Sequence, residues 1–448
     1  MKPLILAAAL LAAGPAWSRP PAPEAGAARP AAVDPRAAAL RIADLIEQTY
    51  FDPAKARRIA EALRAEAQRG GFDALRDPRD LAGVLSDRLK PEDPHFVVLW
   101  TPSAPAPVAS APVVAAQAHG PGPAEAAGEE RRANYGVSAV EVRPGGIGYV
   151  RLDYFADFDQ AADPEAPARR AADAAMALTA NADAMIVDLR GNGGGSPVMV
   201  GYLAGYFVPA GADVYNTFKS RGPDEYERPL VEPRGPRRLK APLYILVSGR
   251  TGSAAESFAY TLQAAGRATI VGEPTAGAAN PGDLHAAGDG LSVFISEGRP
   301  VNPITKTNWG GAGVRPDAPC PAAKALTCAE VLALKALLND APSGEAAVER
   351  RWTLEALLAP PAPADAAALS AYAGEFGSRT IAVEDGRLAL HRGRRPALIL
   401  AGLAPDLFTV EGQPLLRFRF ERDASGKVAA LVQSSADGEE TRLLRAVD

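Results

Sequence analysis

The sequence predicts an α/β core, a parallel-rich sheet with flanking helices, set between an N-terminal helical domain and a C-terminal all-β domain. Three observations predict it. From Asn134 onward, strand-like runs (GIGYVRLDYF, AMIVDLRGNGGG, LYILVSGR, ATIVGEPT, LSVFISEGR) alternate with helical patterns (ARRAADAAMALTANA, SPVMVGYLAGYF, SAAESFAYTLQAAG). Such alternation argues for parallel strands with crossover helices. Before that core lie three helical patterns, and after residue 366 lie short strands separated by turns.

Taken in order, residues 1–18 read as a signal peptide. Lys2 gives a positive start, Leu4 to Ala13 is apolar, and Ala16 and Ser18 are small residues at a cleavage site. The apolar run is too short to span a bilayer, so no stable membrane anchor is expected and the location is periplasmic or secreted. Residues 19–33 form a Pro/Ala leader. Residues 34–101 form the helical domain: RAAALRIADLIEQTY places Leu40, Ile42, Leu45 and Ile46 along one face, and Asp52-Pro53 is a cap followed by a first-turn proline. Residues 102–133 read as a Pro/Ala-rich linker. The core spans 134–340 and ends on the helical CAEVLALKALL. Residues 366–448 read as a small antiparallel barrel or sandwich, with the hairpin dipeptide Asp385-Gly386.

Composition removes several functions. The chain has 448 residues with 48 Lys+Arg against 53 Asp+Glu, a net charge of -5. That is no basic surplus for nucleic acid. Two cysteines and four histidines are too few for a Cys/His zinc array; separately, no metal or organic cofactor is expected. Cys320 and Cys328 stand eight residues apart. In an exported protein they read as a short-loop disulfide, with two buried free thiols as the alternative.

Three segments can carry chemistry. In VSGRTGSAAESFAYTLQAAG a strand ends near Ser248, turns, and starts a helix near Ser253. This sets Ser253 at the carboxyl edge of the sheet, where α/β sites form, as a nucleophile with a neighbouring N–H for an oxyanion. Ser253-x-x-Glu256 is also a capping box, the commoner use of that pattern. It is not the GxSxG elbow. In AMIVDLRGNGGGSPVMV a glycine-rich turn exposes backbone N–H groups, without the Lys-Ser/Thr of a P-loop. In LKPEDPHFVVLW, His95 closes the helical domain; a lone histidine is more often structural.

Together, DLRGNGGG, TGSAAE, GEPTAG and GVRPD, in that order, resemble the tail-specific (C-terminal processing) protease superfamily of serine peptidases. The subgroup they resemble is named for interphotoreceptor retinoid-binding protein and tricorn protease. NYGVSAVEVRPGGIGYVRLDYF and the helical region ending in DPH are similar to that subgroup too, so the resemblance spans about residues 35–337. It implies Ser253 as nucleophile, His95 as base, and N–H groups of Ala254 with Gly193 or Gly194 as oxyanion hole. Ala278 stands where Ser-Lys members have their lysine, and Gly310 where the subgroup often has a glutamate. Glu256 and Asp283 are the candidates for the supporting acid, while Lys306 reads as a solvated charge. No PDZ domain precedes the core. The resemblance implies an exported serine-type endopeptidase acting on unfolded proteins or peptides through an acyl-enzyme. The alternative is a non-catalytic binder of peptides or lipid- or retinoid-like ligands on the same fold.

Overall fold

The computed structural model describes residues 33–101, 123–160, 163, 165–359 and 366–446. The expected signal peptide, nearly all of the leader and most of the linker lie outside the described residues.

Helices α1 (Pro35–Thr49), α2 (Pro53–Gln68) and α3 (Pro78–Leu89) each begin with an aspartate cap followed by proline. Asp34, Asp52 and Asp77 accept from the first free N–H groups, and proline has no N–H to satisfy there. Their apolar faces meet at Ile42, Ile46, Ile59, Leu63, Leu81 and Leu85. This cluster is not closed by helices alone. The segment VVLW forms β1 (Val97–Trp100), which pairs antiparallel with a strand at residues 291–296 of the core. Leu291, Val293 and Ile295 of that strand lie in the helical cluster. Residues 123–132, inside the segment read as a linker, form helix α4 (Pro123–Arg132).

The core contains β2 (Val137–Arg143), β3 (Ile147–Leu152), α5 (Pro167–Leu178), β4 (Ala184–Asp188), α6 (Pro197–Ala204), β5 (Thr217–Ser220), β6 (Glu225–Tyr226) and β7 (Leu243–Val247). It continues with α7 (Ala254–Ala264), β8 (Thr269–Gly272), β9 (Gly282–Gly288), β10 (Leu291–Ser296), β11 (Gly298–Val301), β12 (Ala318–Pro319) and α8 (Ala325–Asp340). The main sheet runs β12-β8-β7-β4-β3-β2, parallel except for the β2–β3 hairpin. Both of its faces are covered. Val150, Val187, Ile245 and Val247 pack under α5, α6 and α7. Ile147, Ile186, Leu246 and Val271 pack under α8. Strands buried on both faces read as continuous apolar runs, which is why AMIVD and LYILV are legible. A second sheet, β1-β10-β9, ties the N-terminal helices to the core, and a third has the order β11-β5-β6.

Helix α9 (Glu345–Leu358) and the short α10 (Ala366–Ser370) lead into eight strands: β13 (Gly374–Phe376), β14 (Arg379–Glu384), β15 (Arg387–Arg392), β16 (Arg395–Ala404), β17 (Leu407–Val410), β18 (Gln413–Arg422), β19 (Val428–Ser435) and β20 (Glu440–Leu444). They pair in sequence order. Phe376 bridges to Arg445, and Ala446 N–H donates to Glu375 O at 2.8 Å. These bonds join the first strand to the last, so the antiparallel domain is a closed barrel. Phe376, Phe408, Phe418 and Phe420 fill its interior. Arg417 of β18 stacks 4.1 Å over Trp352 of α9 and pairs with Glu355 at 2.5 Å.

Candidate active site

Two adjacent parallel strands deliver the site. β4 ends in Asp188 and runs into LRGNGGG, and β7 ends in Val247 and runs into SGRTGS. Hydrogen bonds stitch these exits together. Thr251 Oγ1 donates to Leu189 O at 2.8 Å, Ser248 Oγ to Arg190 O at 2.7 Å, and Gly252 N–H to Asn192 O at 3.1 Å. The glycine loop and the start of α7 are therefore joined by three hydrogen bonds.

Ser253 occupies the N-cap of α7, is exposed, and has φ 51° and ψ −121°. The side-chain-capped starts in this chain behave differently: Asp34, Asp52, Asp77 and Ser196 all sit in the extended region. Capping needs only that extended geometry, so it does not account for a positive φ on serine. Residues in such regions cost about 1–3 kcal/mol and cluster at functional sites. The Ser-x-x-Glu pair does form, with Ser253 N–H donating to Glu256 Oε2 at 2.8 Å. The capping bond and the positive φ coexist at one residue.

Within the loop, position 194 has to be glycine. Its φ is +131°, and a Cβ there would lie 2.8 Å from Ser253 Cβ and 3.3 Å from Ala254 N. The loop backbone is thus pressed against the serine. Of the expected oxyanion donors, Gly194 N–H is already donated to Asn192 Oδ1 at 2.9 Å. Gly193 is exposed, and its N–H has no acceptor among the described residues. Ala254 is the first residue of α7, where N–H groups lack intrahelical partners. The available donors are Gly193 and Ala254.

His95 lies between α3 and β1, so the β1–β10 pairing carries it across to the core. Its Nδ1 meets Asp93 Oδ1 at 2.6 Å, and Asn280 N–H approaches its Nε2 at 3.4 Å. Nε2 is therefore on the accepting side of the ring and Nδ1 on the donating side. Asp93 is 2% exposed and also accepts from His95 N–H, Tyr50 OH, Asn280 Nδ2 and Ser296 Oγ at 2.9–3.1 Å. Burial pushes its carboxyl up. The His95 ring bond and charge, the His95 N–H and the Asn280 amide outweigh that, and the carboxyl is held well below its usual range.

The acid beside His95 is thus Asp93, and neither sequence candidate stands there. Glu256 is turned to the other wall: it accepts from Ser253 N–H, Thr275 Oγ1 at 2.5 Å, Gly277 N–H at 2.6 Å and Ala278 N–H at 2.8 Å. Burial raises its pKa against those four bonds. Asp283 lies in β9, opposite Ile295. Asp93 shares the DPH segment with His95, but an i, i+2 pair on a turn leaves no periodic signal in the sequence. Glu256 ties Ser253 to the loop 277–280, whose Asn280 N–H reaches His95. Gly310 lies beside that loop, where a Cβ would be 3.4 Å from Ala279 Cβ. Lys306 is exposed in the turn after β11. Cys320 and Cys328 form a disulfide between β12 and α8, away from these residues in sequence.

Residues 146–320 match the model of peptidase family S41. The carboxyl-terminal-processing peptidase 1 of Arabidopsis thaliana chloroplasts is 31% identical over 186 residues, 41% of this chain and 35% of that protein. Its peptidase 2 counterpart is 32% identical over 143 residues, 32% of this chain and 27% of that protein. The chain spans about a third of the length of these curated relatives. Solved structures with a similar course include the photosystem II D1 C-terminal processing protease, with TM-score 0.40, 18% identity, 65% of this chain and 94% of that one. The tricorn protease is another, with TM-score 0.38, 14% identity, 69% of this chain and 37% of that one.

Proposed function

We propose that this protein is an exported serine endopeptidase acting on unfolded proteins or peptides, a reading supported by the match of residues 146–320 to the model of peptidase family S41. Ser253 Oγ attacks the scissile carbonyl, and His95 Nε2 takes its proton. Asp93 holds Nδ1–H and stabilises the imidazolium as it forms. The N–H groups of Gly193 and Ala254 receive the oxyanion. His95 returns the proton to the leaving amine, and water releases the acyl-enzyme by the same route. No metal or organic cofactor enters these steps.

The observation that carries this reading is the Asp93–His95 pair, whose Nε2 meets the Asn280 N–H of the loop that Glu256 ties to Ser253. The absence of a carboxylate at Gly310 favours the non-catalytic alternative, whereas Asp93 provides a carboxylate directly beside His95. A periplasmic or secreted location is supported by the N-terminal apolar run and by the Cys320–Cys328 disulfide, which an oxidising compartment maintains. No helix of the described residues is long and apolar enough to cross a membrane.

The test is digestion of denatured casein, with the products read by mass spectrometry. Wild type should cleave, and Ser253→Ala and His95→Ala should be inactive. Asp93→Asn should lose kcat by about 10⁴-fold, the scale for a triad acid. Full activity in Asp93→Asn would send the search to another acid. A folded wild type that cleaves nothing would favour the binding protein.

A further inference from the structure

Ten arginines fall in the barrel segment. Five of them pair with carboxylates: Arg387 with Glu411, Arg417 with Glu355, Arg419 and Arg442 with Glu421, and Arg422 with Asp406. Arg445 donates to the carbonyls of Ala371 and Val428. The remaining four are Arg379, Arg392, Arg394 and Arg395, and among the described residues none has an ion pair.

These four share one end of the barrel. Arg379 opens β14, Arg392 closes β15, Arg394 lies in the turn that follows, and Arg395 opens β16 opposite Arg392. Two of them turn inward. Arg379 is paired across strands with Phe376, which is fully buried in the barrel core. Residues directly opposite share a face. Arg379 donates to Gln433 of β19, and Gln433 in turn is opposite the buried Phe418. The regular β14–β15 register, which pairs Ile381 with the buried Leu390 and Thr380 with His391, carries on to set Arg392 opposite Arg379 and on its face. Its Nε is buried and has no hydrogen-bond partner.

An unpartnered guanidinium nitrogen out of water is costly, and a second guanidinium beside it adds repulsion. Burial and the charge of Arg392 both push the Arg379 guanidinium's pKa down, with no carboxylate offsetting them. Two planar forks in register suit an oxyanion, which accepts from both. The Gln433 amide oxygen is taken by Arg379, which leaves its NH2 group without an acceptor among the described residues.

We propose that this end of the barrel is an oxyanion-binding site, in which Arg379 and Arg392 clasp a carboxylate or phosphate group with Gln433 as a third donor. Arg394 and Arg395 at the rim draw the anion in. The site lies in a separate sheet from the catalytic residues and its assignment stands without the peptidase reading.

The experiment uses the full chain in a Ser253→Ala background, so that no peptide is consumed. Thermal unfolding and titration calorimetry are run with inorganic phosphate, with tetra-alanine as free acid, and with C-terminally amidated tetra-alanine. Ionic strength is matched with sodium chloride. Phosphate or the free-acid peptide should raise Tm where chloride and the amide do not. Arg379→Gln and Arg392→Gln should each weaken that binding at least tenfold. Without anion, these variants should unfold at the wild-type temperature or above it, since each removes a repelling charge. Response to phosphate alone assigns a phosphate ligand, and response to the free acid assigns a chain-terminal carboxylate. No response beyond chloride, or an equal response in both variants, would overturn the proposal.

Discussion

Glu227 should make the stability of the α/β core pH-dependent in a way a single amide removes. Its side chain is buried beneath α7, where Ser257 Oγ donates to one oxygen and Asn216 Nδ2 donates to the other at 3.0 Å. Asn216 also reaches Thr261, and Asn302 donates to Asn216 Oδ1 at 3.0 Å. Ser257 and Thr261 lie one and two turns along the helix that Ser253 starts. Burial outweighs these hydrogen bonds, and the carboxyl is pushed up from 4.5 to about 7. Between those values the native state holds a proton that the unfolded chain has lost. Its contribution is therefore complete below pH 4.5 and falls away as pH rises through about 7. A displacement of some 2.5 pH units corresponds to about 3 kcal/mol at 1.36 kcal/mol each. Glu227→Gln mimics the neutral acid. It should match wild type to within about 0.5 kcal/mol at pH 4.5 and exceed it by up to about 3 kcal/mol at pH 8.5. Urea unfolding followed by tryptophan fluorescence at five pH values between these limits measures the difference. A Glu227→Gln increment that stays constant across the range would refute the reasoning, because it would show that Glu227 titrates alike in both states.

Other expectations concern the catalytic wall and the disulfide. Ser253→Gly and Ser253→Ala should both end proteolysis, but the glycine variant should be more stable by about 1 kcal/mol in thermal unfolding, since only glycine relaxes a φ of 51°; an alanine variant of equal or greater stability would contradict the strain. Gly194→Ala should lower kcat by at least about 10²-fold through displacement of Ser253, whose Cβ is 2.8 Å from where the new methyl would lie. Steady-state kinetics on the folded variant decides this, and near-normal turnover would mean that the loop has room to move. Reduction of Cys320–Cys328, eight residues apart, should cost about 2–3 kcal/mol by loop entropy. A melting curve unchanged by reductant would show that α8 holds β12 without the bond.

The parts of this protein legible in its sequence are those set by local pattern. Asp-Pro pairs start three helices because the cap and the first turn need only neighbouring residues. The apolar runs AMIVD and LYILV announce central strands because both sheet faces are buried. Ser253 and the glycine loop stand out because strand exits in such sheets form sites. What depended on tertiary structure was every pairing between distant segments. The β1–β10 register decides that His95 faces the core, and it draws the 291–296 strand into the helical cluster. The choice of Asp93 over Glu256 and Asp283 depends on which carboxylate the folded chain leaves beside the ring. Asn192, by occupying Gly194 N–H, decides which glycine remains free. The positive φ of Ser253 goes with a close approach of Gly194 from the neighbouring strand exit. Local sequence reports the cost of a conformation one residue at a time, whereas these outcomes turn on contacts between residues up to 203 apart in the chain, as Asp93 and Ser296 are, and those contacts form only when the fold closes.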